Sequence, residues 1–323
     1  MSEGPEARGN PAGLLKRAAA TVAVVAMLAW VLWGAWGDAR GIDWSALRLQ
    51  PALLVLSCAL LGLGLIWHGL VWVWMMHMLG YPLALRPGLR ASALSQLGNY
   101  VPGKVFIVLF RVQVAARYGV PGVPVAGSIG LETLLRNLMA TMLGALGLYR
   151  LGAGASSLWA LGAIIALSLV FAHPRVFNAA AAWVLRKLRR PPLPRELTGP
   201  QVLGLLGCYL IYWVLYLAGL FLAIEGTLGL SAPELVPLAT AAFVAQIGST
   251  LAVFAPVGLG ASEASMAGVL ALSGAVAAPY MVALIARVWR TMGEMAQIGL
   301  VLLIPMPPPP PAPADADAAE PTR

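Results

Sequence analysis

Long apolar runs recur along this chain, and they restrict its fold more than any other feature of the sequence. A helix needs roughly 20 apolar residues to cross about 30 Å of hydrocarbon. Six runs reach or approach that length, namely residues 18–37, 52–79, 123–149, 156–172, 201–224 and 280–304. Only 11% of the residues are charged, whereas a soluble domain carries about a quarter. Because the runs lack the alternation of barrel strands, the sequence predicts an all-α polytopic membrane protein with about six full spans.

Two further apolar stretches, residues 91–116 and 235–274, are interrupted by proline and glycine. In the first, each apolar arm beside Pro102 has about 10 to 12 residues, which make roughly 15 to 18 Å of helix. Since such an arm is too short to cross the hydrocarbon, we expect a re-entrant hairpin there. The second stretch has longer arms, so a re-entrant hairpin and two full spans are both open.

Basic residues concentrate in the loops at 80–119 and 173–200 and are scarce in those at 38–50, 150–155 and 225–234. Cytoplasmic loops carry the excess of Lys and Arg, so both basic loops and both chain ends are predicted to face the cytoplasm. The first apolar run exceeds the about 7 to 15 residues of a signal-peptide core. We therefore expect a cytoplasmic segment at 1–17 followed by a retained helix, with cleavage after Ala39 as the alternative.

Two segments outside the spans have compositions of their own. Residues 305–323 are rich in proline and then acidic, which predicts a disordered tail after a membrane domain at 18–304. Residues 173–190 mix apolar and basic side chains, which predicts an interfacial helix on the inner leaflet. That helix would contact anionic headgroups or act only as an orientation anchor. Nucleic acid is not an expected partner despite the net charge of +8, because the basic residues lie between apolar runs.

The two interrupted stretches carry similar motifs. Gln96-Leu97-Gly98-Asn99 precedes Pro102 and Gly103, and Gln246-Ile247-Gly248-Ser249 precedes Pro256 and Gly258, an offset of 150 residues. The helix before the first motif runs inward and the helix before the second runs outward, so the halves at 52–149 and 201–304 would be inverted. Inverted repeats with broken helices are how many transporters build a site near the middle of the bilayer.

Several ionisable residues lie within the apolar runs or beside the breaks. Each costs at least about 2.5 to 3.5 kcal/mol at the centre of a bilayer, so it needs a partner or a function. Glu132 with Arg136 and Arg290 with Glu294 are spaced i,i+4, so they form internal ion pairs or belong to a site. Lys104, Arg111, Glu263 and Arg287 flank or face the breaks without an obvious local partner. They predict a polar cavity that attracts an anionic group such as a lipid phosphate.

The sequence predicts no catalytic residue, no metal site and no cofactor. It contains no His-Glu-x-x-His zinc motif and no Gly-x-Ser-Gly of the rhomboid type. It also lacks a P-loop, so transport would be downhill or coupled to an ion gradient rather than driven by ATP bound in that manner.

The residues from Gln96 to Lys104, the later Arg111 and Glu132, and the string Pro256-Val-Gly-Leu-Gly-Ala-Ser-Glu263 with Arg287 form a recognisable pattern. It resembles the membrane domain of the lysylphosphatidylglycerol synthetase/flippase family over nearly the whole hydrophobic chain. In that family this domain is associated with moving aminoacylated phospholipids between leaflets, and a separate soluble domain performs aminoacyl transfer. Since only about 19 residues follow the last span, the resemblance implies the translocating part alone, in a prokaryotic inner membrane.

The resemblance also implies which residues form the site. Carried onto this sequence they are Asn99, Pro102, Gly103, Arg111, Glu132, Pro256, Gly258, Gly260, Glu263 and Arg287. Lys104, Arg111 and Arg287 would hold the phosphate, and Glu263 or Glu132 would contact a cationic headgroup or exchange a proton. The expected partner is an anionic or aminoacylated phospholipid or a polyprenyl-linked lipid. The alternative is a non-transporting scaffold for an envelope-lipid enzyme, and a homo-oligomer and an enzyme partner are both open.

Overall fold

Helices make up most of the chain described by the structure, which is a computed structural model. The described residues are 29–41, 49–100, 105–228, 235–252, 258–276 and 278–308, and no strand occurs among them. The helices are α1 (residues 29–41), α2 (Pro51–Met78), α3 (Leu85–Leu97), α4 (Val105–Ala116), α5 (Gly122–Arg150), α6 (Ala155–Ala172), α7 (Pro174–Lys187), α8 (Gly199–Leu228), α9 (Leu235–Leu251), α10 (Ala261–Ser273) and α11 (Pro279–Leu303). The predicted all-α class is confirmed.

The long helices coincide with the predicted spans. By length and composition, α2, α6 and α8 can cross a membrane, with 28, 18 and 30 residues. α5 and α11 have 29 and 25 residues and carry the charged residues discussed below. The run at 18–37 lies partly outside the described residues, and its described part is helical.

Each interrupted stretch forms two short helices that pack against each other, α3 with α4 and α9 with α10. These helices have 13, 12, 17 and 13 residues, or about 18 to 26 Å at 1.5 Å per residue. All four are therefore shorter than the about 30 Å hydrocarbon thickness. Pro102, Gly103, Lys104 and Pro256 lie outside the described residues.

Glycines allow the arms of each pair to approach closely. A Cβ on Gly98 would lie 2.7 Å from the Cα of Ile107, at the start of α4. Gly258 has φ +66°, and a Cβ there would lie 2.6 Å from the Cα of Ser249 in α9. A larger residue at Gly258 would meet both a left-handed backbone and a neighbouring backbone, so this turn requires glycine.

The contacts between helices follow a paired pattern. α2 and α8 pack against each other at the centre. The contact between α5 and α9 has a counterpart between α11 and α3. In the same way, α2–α3 corresponds to α8–α9, α4–α5 to α10–α11, and α2–α11 to α8–α5. If α2, α3, α4 and α5 are exchanged for α8, α9, α10 and α11 in that order, each contact of one set becomes its counterpart in the other set. The contact between α2 and α8 becomes itself. α6 packs on α5, and α7 packs on α6.

Aromatic and aliphatic side chains fill the centre of the bundle. Tyr212, Trp213 and Tyr216 of α8 lie against Phe243 of α9 and Trp289 of α11, with ring centroids 5.0 to 6.2 Å apart. In α6, by contrast, Ala172 is the buried residue. A helix that is apolar all round but exposed is suited to contact with lipid.

Candidate functional site

The first cluster of buried charges joins α2, α4 and α5. The Arg111 guanidinium forms a two-point ion pair with Glu132, with Nη1 on Oε2 and Nη2 at 3.2 Å from Oε1. His68 Nε2 lies 3.1 Å from Glu132 Oε1. Arg111 Nε also donates to Ser95 Oγ at 3.0 Å, and its guanidinium lies over the ring of Trp72. Arg111 is only 1% exposed, so it holds Glu132 in place rather than reaching into open space.

Arg136 lies one turn after Glu132 on α5 and extends this cluster. The i,i+4 spacing leaves open whether it pairs with Glu132 or belongs to a site, and among the described residues that carboxylate forms its ion pairs with Arg111 and His68. Arg136 Nη1 lies 3.4 Å from His68 Nε2, and its buried Nε has no hydrogen-bond partner in the described structure. One carboxylate between two guanidinium groups leaves positive charge in excess.

A small cavity of about 80 Å³ lies beside this cluster. Its polar lining comes from Gln96 and Asn99 at the first break, and from Arg111, Glu132 and Arg136. We call it the first cavity. Its net positive lining suits a phosphate, because guanidinium groups bind phosphate oxygens through paired hydrogen bonds.

The second cluster joins α10 and α11. Glu263 Oε1 lies 3.2 Å from Arg287 Nη1 without hydrogen-bond geometry, and Glu263 Oε2 accepts from Gly260 N at 2.7 Å. Gly258 and Gly260, both with positive φ, thus form the turn that positions the buried Glu263. In the first cluster the short helix carries the cation, Arg111. In the second the short helix carries the anion, Glu263.

Two further side chains connect each half to the break of the other half. Glu294 on α11 forms the predicted i,i+4 pair with Arg290 at 2.9 Å, and its Oε2 accepts from Tyr100 OH at 2.9 Å, beside the first break. Asn137 on α5 accepts from Thr250 Oγ1 at 3.1 Å, near the end of α9. Each bond thus joins a long helix of one half to a residue beside the break of the other half.

A second, small cavity of about 40 Å³ lies between α8, α9, α10 and α11. Its lining includes Tyr212, Trp213, Tyr216, Gln246, Glu263, Arg287 and Arg290. The two guanidinium groups suit a phosphate, and a carboxylate next to aromatic faces suits an ammonium group. The second cavity therefore offers groups for both ends of a zwitterionic headgroup.

Seven of the ten predicted site residues that lie within the described ranges line these cavities. Asn99, Arg111, Glu132 and Arg136 line the first cavity, Glu263, Arg287 and Arg290 line the second, and Glu294 lies between the two halves. The described ranges contain no group of three His, Cys, Asp or Glu side chains that could bind a metal.

Sequence reasoning did not include His68, Tyr100, Asn137 or Thr250 in the site. For His68 the sequence does hold a signal, because a histidine in the middle of an apolar run favours a charged partner. The other three are small polar or aromatic residues whose roles depend on contacts 109 to 194 residues away in the sequence, so no local pattern marks them.

Comparison with known proteins places the chain in a family. Residues 18–292 match the family described as Lysylphosphatidylglycerol synthase TM region. The match covers most of the 323 residues, so the chain belongs to that family and is a multi-pass helical membrane protein. The resemblance found in the sequence is thereby confirmed. No curated protein and no solved structure matched the chain.

Proposed function

We propose that this protein translocates a lipid across the inner membrane by passing the headgroup through the two polar cavities while the acyl chains stay in the bilayer. Membership of the lysylphosphatidylglycerol synthase membrane-region family supports a role at the lipid bilayer. The observation that carries the proposal is the charged lining of both cavities beside helix breaks, between helices that are otherwise apolar. A polar cavity between apolar helices gives a lipid headgroup a polar environment in place of hydrocarbon.

The first cavity binds the phosphate in this proposal. Its lining carries excess positive charge, and Arg136 Nε has no partner in the described structure. A buried guanidinium nitrogen without an acceptor is costly, and a phosphate oxygen would supply one. Arg111 positions Glu132 from the other side of the cluster, and Lys104 is a further candidate for phosphate contact outside the described residues.

The second cavity binds a headgroup that also carries an ammonium group. Arg287 and Arg290 hold the phosphate there, and Glu263 with the faces of Tyr212 and Tyr216 holds the cation. Each charge of a zwitterionic or aminoacylated lipid then meets a group of opposite character. An anionic lipid without a cation uses the arginines alone.

The two cavities belong to two halves that we propose to be inverted repeats, at 52–149 and 201–304. The paired helix contacts and the corresponding bonds Asn137–Thr250 and Glu294–Tyr100 support this relation. The short lengths of α3, α4, α9 and α10 favour re-entrant hairpins in both halves. Rocking of one half against the other would open the cavities to the two sides in turn.

Reconstitution in liposomes tests the proposal. The full chain is assayed for flipping of fluorescent phosphatidylglycerol, phosphatidylethanolamine and lysyl-phosphatidylglycerol, with dithionite to quench the outer leaflet. Arg136→Gln removes a charged hydrogen-bond donor worth about 1.5 to 3 kcal/mol, so flipping should fall about tenfold or more. Arg150→Gln, at the exposed end of the same helix, is the matched control and should keep the parent rate. Equal rates in protein-containing and empty liposomes for every lipid would overturn the proposal.

A scaffold for an envelope-lipid enzyme is the competing function. Tyr118 OH donates to the carbonyl of Pro307 at 2.9 Å, so the start of the tail rests on the turn after α4. A scaffold that works through the tail would lose its partner when residues 309–323 are deleted. A translocase would keep its flipping rate after the same deletion.

A further inference from the structure

A groove separate from both cavities lies where α7 packs near the start of α5. It is a partly open groove of about 390 Å³, and every side chain that lines it is apolar. Leu79 follows α2, Val123 and Gly127 come from α5, and Phe177, Val184 and Leu188 come from α7 and its end. A volume of this order accommodates a small ligand, and the lining offers nothing that could bind a polar headgroup.

Basic residues flank the groove-lining residues along the chain. Arg186, Lys187, Arg189 and Arg190 alternate with the lining residues at the end of α7. Three backbone hydrogen bonds form the turn that ends α7, and the shortest runs from Arg190 N to Leu185 O at 2.8 Å. Arg189 has a left-handed backbone conformation there, with φ 52°. The end of α7 therefore carries four cationic residues that are chain neighbours of Leu185 and Leu188, which line the apolar groove.

We propose that this groove binds one acyl chain of an anionic phospholipid, whose phosphate rests on the basic end of α7. Charge complementarity supports this occupant, because the apolar groove suits a hydrocarbon chain and the basic residues at the end of α7 attract anions. Trp183, Val184 and Leu188 are exposed on the same helix, as expected for a helix that lies in a bilayer surface. The site does not depend on lipid translocation, because it shares no lining residue with either cavity.

Photo-crosslinking in nanodiscs tests the site. The probe is phosphatidylglycerol with a diazirine at the middle of one acyl chain, and phosphatidylcholine with the same chain is the comparison. Cross-linked peptides are mapped by mass spectrometry. We expect the phosphatidylglycerol probe to label 123–127 and 177–188 severalfold more than the phosphatidylcholine probe. Equal labelling by the two probes overturns the proposal.

Two glycines of α5 provide a matched pair of variants. A Cβ at Gly127 or at Gly130 meets no atom within 4 Å, but of the two only Gly127 lines the groove. Gly127→Leu should fill the groove and abolish its labelling, whereas Gly130→Leu should leave it unchanged. A groove filled by a second copy of the chain would exclude the probe from the parent and from Gly130→Leu alike, and that result overturns the proposal.

Charge is tested separately. Each basic residue near a membrane surface contributes about 1 kcal/mol of attraction to anionic lipid, which is about fivefold in occupancy. Arg186→Gln with Arg190→Gln should lower phosphatidylglycerol labelling severalfold, towards the phosphatidylcholine level, and leave phosphatidylcholine labelling unchanged. Arg40→Gln with Arg150→Gln, two exposed positions away from the groove, should change neither. Flipping by these variants, measured in the same preparations, shows whether the cavities still work when the groove is empty.

Discussion

At the scale of single residues, Glu132 shows why buried charge resists prediction from local spacing. The i,i+4 rule pairs it with Arg136, but the structure pairs it with Arg111, 21 residues earlier, and with His68. The rule describes neighbours on the surface of one helix. Here the chain folds α4 back against α5, and a two-point contact from a facing helix wins because it satisfies both carboxylate oxygens.

Removing the Glu132 charge should destabilise the protein strongly. Glu132→Gln leaves Arg111 buried without its counterion, a loss of about 3 to 5 kcal/mol. Arg111→Met with Glu132→Gln should recover much of that loss, because the buried guanidinium of Arg111 is removed together with its counterion. Unfolding in detergent, followed by intrinsic fluorescence, measures the cycle. If the double variant loses the sum of the two single losses, the residues are not coupled.

At the scale of helices, the sequence predicts most of what the structure contains. The spans at 52–79, 123–149, 156–172, 201–224 and 280–304 each match one helix within a few residues, because a long apolar run leaves helix as the main option in a bilayer. The basic segment at 173–190 is α7. The length of the arms at 235–274 could not be fixed in advance, since apolar composition alone does not say where a helix ends.

The turn before α10 yields a prediction about glycine. Gly258→Ala should destabilise the protein by several kcal/mol. The alanine Cβ would be placed on a left-handed backbone and would also collide with Ser249. Gly268→Ala in α10 meets open space and should stabilise by up to about 1 kcal/mol. Thermal unfolding of both variants checks the contrast. A tolerated Gly258→Ala would mean that the turn has another conformation.

At the scale of the whole molecule, the basic loops predict which end of each helix faces the cytoplasm. The positive-inside rule places the end of α7 in the cytoplasm and the turn between α5 and α6 outside. Single cysteines test this in a chain with Cys58→Ala and Cys208→Ala. An impermeant maleimide should label Ala153→Cys in intact spheroplasts and Lys187→Cys only after lysis. The reverse pattern would contradict the predicted orientation.

The opposite order of charge in the two halves limits how such sequences can diverge. Arg111 faces Glu132, and Glu263 faces Arg287, so cation and anion have exchanged places between the short helix and the long one. A single substitution that reverses either member leaves two like charges facing each other inside the bilayer. We therefore expect positions 111 and 132 to change sign only together, and positions 263 and 287 likewise.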